Sequence, residues 1–281
     1  MAKVKVELQE NRKKKRFYTI ISIVSACVAI GAIGYLIAHK MSLNKQEDVY
    51  SDMRVTEQTG EIIVETEIET QAETESETEE QIVCEAVYDF EELRKTNEDI
   101  YAWITIPGTK VDYPVLQSEE DNYYLDKNLD HSTGYPGCIY TNKCNVKNFD
   151  DLHTILYGHN MKNDTMFGSL HDYEDLENFE TNKTIYVYTE QKRMTYEIYG
   201  AVKFTDVYIP AVYGANSVAG NGQFLQDLQA NAETYASVSH IADMEVSPED
   251  KLITLSTCIS GEDTKRYIIV GVLVEEAFYT E

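Results

Sequence analysis

The 281-residue sequence predicts a mainly β fold: an eight-stranded, mostly antiparallel β-barrel with helical embellishments, preceded by an N-terminal transmembrane helix. Three observations carry this reading. Beyond residue 86, eight runs rich in β-branched and aromatic residues are separated by Gly, Pro, Asn and Asp turns. No βαβ rhythm and no internal repeat interrupts them, which favours closure of an antiparallel sheet. Near the start, residues 17–38 are apolar and carry no charge.

The N-terminal third divides by composition. Residues 1–16 are a basic segment holding Lys3, Lys5, Arg12, Lys13, Lys14, Lys15 and Arg16. Residues 17–38 match the roughly 20 residues needed to cross a bilayer. The run exceeds the ~7–15 apolar residues of a cleaved signal peptide, and His39-Lys40 follow it in place of a small-residue cleavage site. It reads as an uncleaved single-pass anchor. The basic cluster before it keeps the N-terminus in the cytoplasm and sends the rest outside the cell. Residues 39–85 read as an acidic Glu/Thr-rich stalk, typified by Glu65 to Glu80. Like charges and few aromatics cannot support a core, so the stalk is solvated and self-repelling. Much of the formal charge of −25 lies there. An acidic chain argues against nucleic-acid binding by the folded part.

The globular part is expected over 86–281. Asp89-Phe-Glu-Glu92 fits a capping box, with Phe90 and Leu93 on one face of a short helix. Strands follow at 101–106 and 111–117, separated by Pro107-Gly108; Pro114 marks an edge or bulge in the second. Further strands are predicted at 137–141 and 154–157. Asn163-Asp164 is expected to cap a helix presenting Met166, Phe167, Leu170 and Tyr173. Two more strands span 184–188 and 194–204. Residues 205–250 form a long insertion with a helix near 223–232, whose Phe224, Leu225 and Leu228 pack inward. The last two strands, 251–258 and 266–274, flank a loop at 259–265.

Chemistry concentrates at that last pair. Along 251–258 the side chains alternate, so Ser256 and Cys258 share a face and the thiol sits at the strand end. If the two strands pair as an antiparallel hairpin, Arg266 lies roughly opposite Cys258. A cation beside a thiol favours the nucleophilic thiolate. Taken alone, a free cysteine is usually inert packing, and a third group is needed. His159 supplies it: of six histidines it is the one that ends a strand, in Thr154-Ile-Leu-Tyr-Gly-His-Asn160, where its ring can face a cleft. Cys, His and Arg at strand ends furnish a nucleophile, an acid/base and an oxyanion clamp. The order His-then-Cys is the reverse of papain-like proteases. The other cysteines are Cys27, Cys84, Cys138 and Cys144, and an odd, low count describes no disulfide framework. Cys138 and Cys144 are close enough in sequence to pair.

Three separated motifs resemble one family. Thr254-Leu-Ser-Thr-Cys258 with Arg266 is similar to the TLxTC signature of sortases, the transpeptidases of Gram-positive cell surfaces. Leu156-Tyr-Gly-His-Asn-Met161, continuing to Met166-Phe-Gly168, resembles the histidine segment of class B sortases. Trp103-Ile-Thr-Ile-Pro-Gly108 followed by Asp112-Tyr-Pro-Val115 resembles the first strands of that class. The resemblance covers residues 86–278, and the segment 205–250 fits the helix-bearing loop of class B. The acidic stalk is not a family hallmark.

The resemblance implies a sortase-type barrel and a cysteine transpeptidase. Cys258 would attack the carbonyl of a Thr in the C-terminal sorting signal of a surface protein and form a thioester. His159 would protonate the leaving amine and deprotonate the incoming one, and Arg266 would hold substrate and stabilise the oxyanion. Ser256 would contact the substrate, and Tyr157 and Asn122 match positions near the family's active site. The acceptor would be a peptidoglycan amine. The resemblance implies no metal and no cofactor; calcium belongs to some other sortases. Two other outcomes stay open from residues alone: a pilin-polymerising sortase and a hydrolase that resolves the thioester with water.

Overall fold

The computed structural model describes residues 2–54, 62–63 and 82–280. They fall into two units, Met1–Ser51 and Asp52–Glu281. The first is helical: helix α1 spans Ala2–Met53. An 18-residue window within Lys14–Met53 reaches a mean hydropathy of 2.4, so the helix is long and apolar enough to cross a membrane. Phe17, Val28, Ile30 and Leu36 along it are exposed. Residues 39–53, expected as the beginning of the stalk, continue the helix. Of the remaining stalk, 55–61 and 64–81 lie outside the described residues.

The second unit is a closed barrel of eight strands. They are β1 (Ile100–Thr105), β2 (Asp112–Leu116), β3 (Ile139–Thr141), β4 (His153–Tyr157), β5 (Thr184–Tyr188), β6 (Lys192–Thr205), β7 (Leu252–Ile259) and β8 (Glu262–Tyr279). Neighbours around the ring run β8-β7-β4-β3-β2-β1-β5-β6, and pairing of β6 with β8 closes it. The pairs β4–β7 and β2–β3 are parallel and the other six antiparallel. Closure removes the sheet edges that would otherwise invite aggregation. Short strands at Ile82–Cys84 and His240–Ile241 extend the sheet outside the ring. Pro114 pairs with Trp103, while the parallel partner of β2 begins only at Val115, so the missing N–H falls where β2 is locally an edge.

The helices cover the barrel as their apolar residues dictate. Helix α2 (Phe90–Thr96) is capped by Asp89, which accepts from the Glu92 N–H at 3.0 Å, and it buries Phe90 and Leu93. A short α3 spans Leu176–Thr181. The insertion holds α4 (Ile209–Tyr213), which the sequence pattern did not reveal, and α5 (Val218–Thr234), capped by Ser217. Phe224 and Leu228 of α5 pack on the outer face of the barrel against Ile155, Val202, Phe204, Leu252, Ile268 and Val270. Burying each such side chain stabilises the fold by roughly 1.5–3 kcal/mol. This packing fixes the insertion beside the ends of β4 and β7.

Two expectations are corrected. No helix begins at Asn163-Asp164. Asp164 and Met166 adopt left-handed φ of 62° and 56°, and the chain folds back so that Asn160 bridges Met166 and Phe167 N–H donates to the His159 carbonyl at 3.0 Å. A 3₁₀ turn at Gly168–Glu174 takes the helix's place, and Met166, Phe167, Leu170 and Tyr173 are still fully buried. Tertiary packing outweighs local helix preference there. The expected loop 259–265 is a tight hairpin: Ile259 pairs with Glu262, and Gly261, at φ 81°, turns the chain where a side chain would be strained.

Candidate active site

Strand register gathers the predicted residues. In the parallel pair β4–β7 the register runs from Leu252↔His153 to Ser256↔Tyr157. Cys258 and His159 each lie two residues beyond that last pair, so they leave neighbouring strands side by side, on backbones that run about 4.8 Å apart in a sheet. The alignment continues past the ladder. Gly158 N–H donates to the Ser256 carbonyl at 3.2 Å, and the Thr257 hydroxyl donates to the Gly158 carbonyl at 2.8 Å. Glycine at 158 leaves room for its neighbours: a Cβ there would stand 2.4 Å from Ile139 Cδ1 and 2.7 Å from Phe167 Cδ2, so those side chains would have to shift.

The antiparallel pair β7–β8 supplies the cation. Arg266 is the partner of Cys258, so the two side chains project from the same face. Immediately after, the register jumps from Cys258↔Arg266 to Ile259↔Glu262, leaving 263–265 as a bulge on β8. Arg266 Nη1 donates to the bulge carbonyls of Asp263 at 3.0 Å and Lys265 at 2.7 Å. The bulge thus orients the guanidinium. The Cys258 side chain is exposed.

His159 is oriented from its far nitrogen. Its Nε2 lies 2.6 Å from the carbonyl oxygen of Leu125, an obligate acceptor, so Nε2 carries a proton and Nδ1 is the nitrogen left for chemistry. The Tyr135 ring sits 4.8 Å from the imidazole. Leu125 ends the 3₁₀ turn Tyr123–Leu125, which Asn122 precedes in a left-handed conformation, φ 61°, that Asn tolerates.

An aromatic shelf adjoins the pair. Tyr157 stacks between Tyr140, at 5.5 Å, and Tyr208 of the insertion, at 6.5 Å. Tyr140 Oη donates to Asn122 Oδ1 at 3.2 Å, and Asn142 Nδ2 reaches both Asn122 Oδ1 and Tyr208 Oη. Burial, then Tyr208 and the Cys258 thiol, push the Tyr140 phenol up. Burial, with the Cys144 sulfur beside it, pushes Tyr208 up to about 12. These phenols stay neutral at physiological pH; Tyr140 donates to Asn122, Tyr208 accepts from Asn142, and their rings form apolar walls. Ser256 is buried, next to Tyr157 in the register. The site thus brings Cys258, His159, Arg266, Ser256, Tyr157 and Asn122 into one region. Cys138 and Cys144 are not bonded to each other. Cys138 is buried and donates to the Lys127 carbonyl, and Cys144 is exposed beside Tyr208.

A family model described as "Sortase domain" matches residues 104–274. The chain belongs to the sortase family. Sortase B of Listeria monocytogenes is 33% identical over 189 residues, covering 66% of this chain and 74% of the relative. Sortase B of Staphylococcus aureus is 28% identical over 268 residues, covering 94% and 99%. Among solved structures, a Staphylococcus aureus sortase B–substrate complex superposes with a TM-score of 0.57 at 30% identity, over 66% of this chain and 84% of that one. Clostridium perfringens sortase B superposes with a TM-score of 0.59 at 25% identity, over 66% and 100%. This sortase is of class B, and it is a cysteine transpeptidase with the eight-stranded barrel of those structures.

Sequence reasoning missed Asn160 and His171 at the Cys258 carbonyl, Glu174 behind His171, the Leu125 carbonyl on His159, and Tyr208. Asn160 follows His159 directly, and that adjacency was the one available signal. The others reach the site only through the fold.

Proposed function

We propose that Cys258 is the nucleophile of this sortase, His159 its acid/base and Arg266 its oxyanion donor. The substrate is a surface protein with a C-terminal sorting signal, and the acceptor is a peptidoglycan amine. The observation that carries the reading is the double register, Ser256↔Tyr157 and Cys258↔Arg266, which sets three separated residues at the same end of neighbouring strands.

The Cys258 thiolate attacks the Thr carbonyl, forming a C–S bond and pushing charge onto the carbonyl oxygen, which the Arg266 guanidinium meets. Collapse breaks the C–N bond. The leaving amine takes the proton held on His159 Nδ1, and a thioester remains. The acceptor amine then gives its proton to Nδ1, attacks the thioester carbon and forms an amide, and the C–S bond breaks to restore the thiolate. Ser256, Tyr157 and Asn122 line the substrate path on the shelf side of Cys258. Helix α1 anchors the enzyme, with the basic segment in the cytoplasm and the barrel outside the cell.

The test is a peptide library randomised around a fixed Thr, given to the full chain in detergent with and without an added amine. Cleavage with ligation of the amine supports the reading; hydrolysis that ignores the amine favours a peptidase; no cleavage by an active-site-intact enzyme removes the Thr substrate.

A further inference from the structure

Cys258 is gripped by its main chain as well as presented by its side chain. Its carbonyl oxygen lies 3.0 Å from Asn160 Nδ2 and 3.0 Å from His171 Nε2. His171 belongs to the 3₁₀ turn Gly168–Glu174, and its Nδ1 lies 2.7 Å from Glu174 Oε1. Its ring stacks on Tyr267 of β8, with centroids 5.1 Å apart and planes 24° from parallel. Asn160 Nδ2 also lies 3.0 Å from His171 Nε2.

The hydrogen-bond accounting closes. The Glu174 carboxylate accepts from Nδ1–H, which fixes the ring orientation and turns the Nε2 edge to the Cys258 carbonyl. The two hydrogens of the Asn160 amide can serve that carbonyl and Nε2 together when the ring is neutral. When Nε2 carries a proton, Nε2–H donates to the carbonyl itself. In either state the Cys258 oxygen keeps a donor, from the Asn160 amide when the ring is neutral and from Nε2–H as well when it is protonated.

The grip falls at a sensitive place. The β7–β8 register breaks between Cys258 and Ile259, so side-chain donors take over where the regular ladder ends. Asn160 is the residue after His159. The clamp therefore ties the end of β4, which carries the base, to the end of β7, which carries the thiol.

We propose that Asn160 and His171, braced by Glu174, are positioning residues that fix the Cys258 backbone relative to His159 and thereby set the geometry of attack. This rests on the reading of Cys258 as the nucleophile. A misplacement of about 1 Å can cost a reaction of this kind about 100-fold.

The experiment is single-turnover acylation by the full chain in detergent, using a Thr peptide selected from the library above, with thermal melting alongside. His171→Phe keeps the stack on Tyr267 and removes both nitrogens. It is expected to slow acylation about 10- to 100-fold, with peptide KM changed by less than about twofold. His171→Gln, whose amide can donate and accept, is expected to lie within about threefold of wild type. Asn160→Ala removes one donor pair without touching the stack; it is expected to lose about 10-fold and gives the readout if His171→Phe fails to fold. Wild-type acylation by both His171→Phe and Asn160→Ala, with Cys258→Ala inactive, overturns the proposal alone. A Gln variant no faster than the Phe variant also overturns it. Acylation that survives in Cys258→Ala overturns the parent reading, and the proposal with it.

Discussion

Cys258 and Arg266 are directly paired across the β7–β8 hairpin, and the ladder breaks immediately beyond them. Paired residues share a face, so a planar cation stands beside a thiol where the β7–β8 ladder bulges. Removing an oxyanion donor typically costs about 100- to 1000-fold in rate. Arg266→Ala is expected to lower acylation by that order, and Arg266→Lys to recover only part, because an ammonium lacks the fork that makes two parallel bonds. The melting temperature should barely move, since the guanidinium bonds only to the carbonyls of Asp263 and Lys265 in its own hairpin. Acylation by Arg266→Ala near the wild-type rate would make Arg266 an ordinary surface charge.

Gly158 is expected to tolerate no side chain. Its added Cβ would overlap Ile139 and Phe167, and the neighbouring peptide carries Tyr157 and His159. Gly158→Ala should destabilise the barrel by about 1–3 kcal/mol through overpacking, and should slow acylation because the base moves with the backbone. Denaturation and single-turnover rates measured together check this; a variant with wild-type stability would show that the barrel wall yields there.

Cys138 and Cys144 should be dispensable. Neither is disulfide-bonded, and their thiols contact the Lys127 carbonyl and Tyr208. Replacing both with Ser is expected to leave most turnover intact. A loss as deep as that of Cys258→Ala, measured on the same peptide, would assign them a chemical role.

The eight strands were readable because alternation and turn residues mark each one, and Cys258 with Arg266 was readable because a hairpin needs only a local register. His159 was found by its place at a strand end. The 3₁₀ turn at Gly168–Glu174 was misread as a longer helix, since Asn163-Asp164 looks like a cap until tertiary contacts bend it. The clamp on Cys258 was invisible for a related reason: His171 and Cys258 lie 87 residues apart, and no local pattern announces a contact of that range. Helix α4 was missed because five residues are too few to show a period.

His153 predicts acid sensitivity. It is fully buried on Phe224, its Nε2 meets the Thr254 hydroxyl at 2.7 Å, and burial lowers its pKa to about 3. In the unfolded chain the value is about 6.5. Below that pH the unfolded state binds a proton that the folded state refuses, so stability falls by about 1.4 kcal/mol per pH unit down to about pH 3. Between pH 7 and 5 this amounts to about 2 kcal/mol. Chemical denaturation followed by Trp103, the single tryptophan and fully buried, should show the wild type losing about that much more than His153→Gln. Equal losses would mean that the folded protein accommodates the charged ring.

Covalent trapping tests the central claim most directly. The full chain in detergent is incubated with the selected Thr peptide without an amine, quenched in acid, and examined by intact-protein mass spectrometry and peptide mapping. The account predicts an adduct equal to the N-terminal part of the peptide acylated on Cys258, labile to hydroxylamine, discharged by an added amine, and absent from Cys258→Ala. An adduct on any other residue, or peptide cleavage that persists in Cys258→Ala, would contradict it.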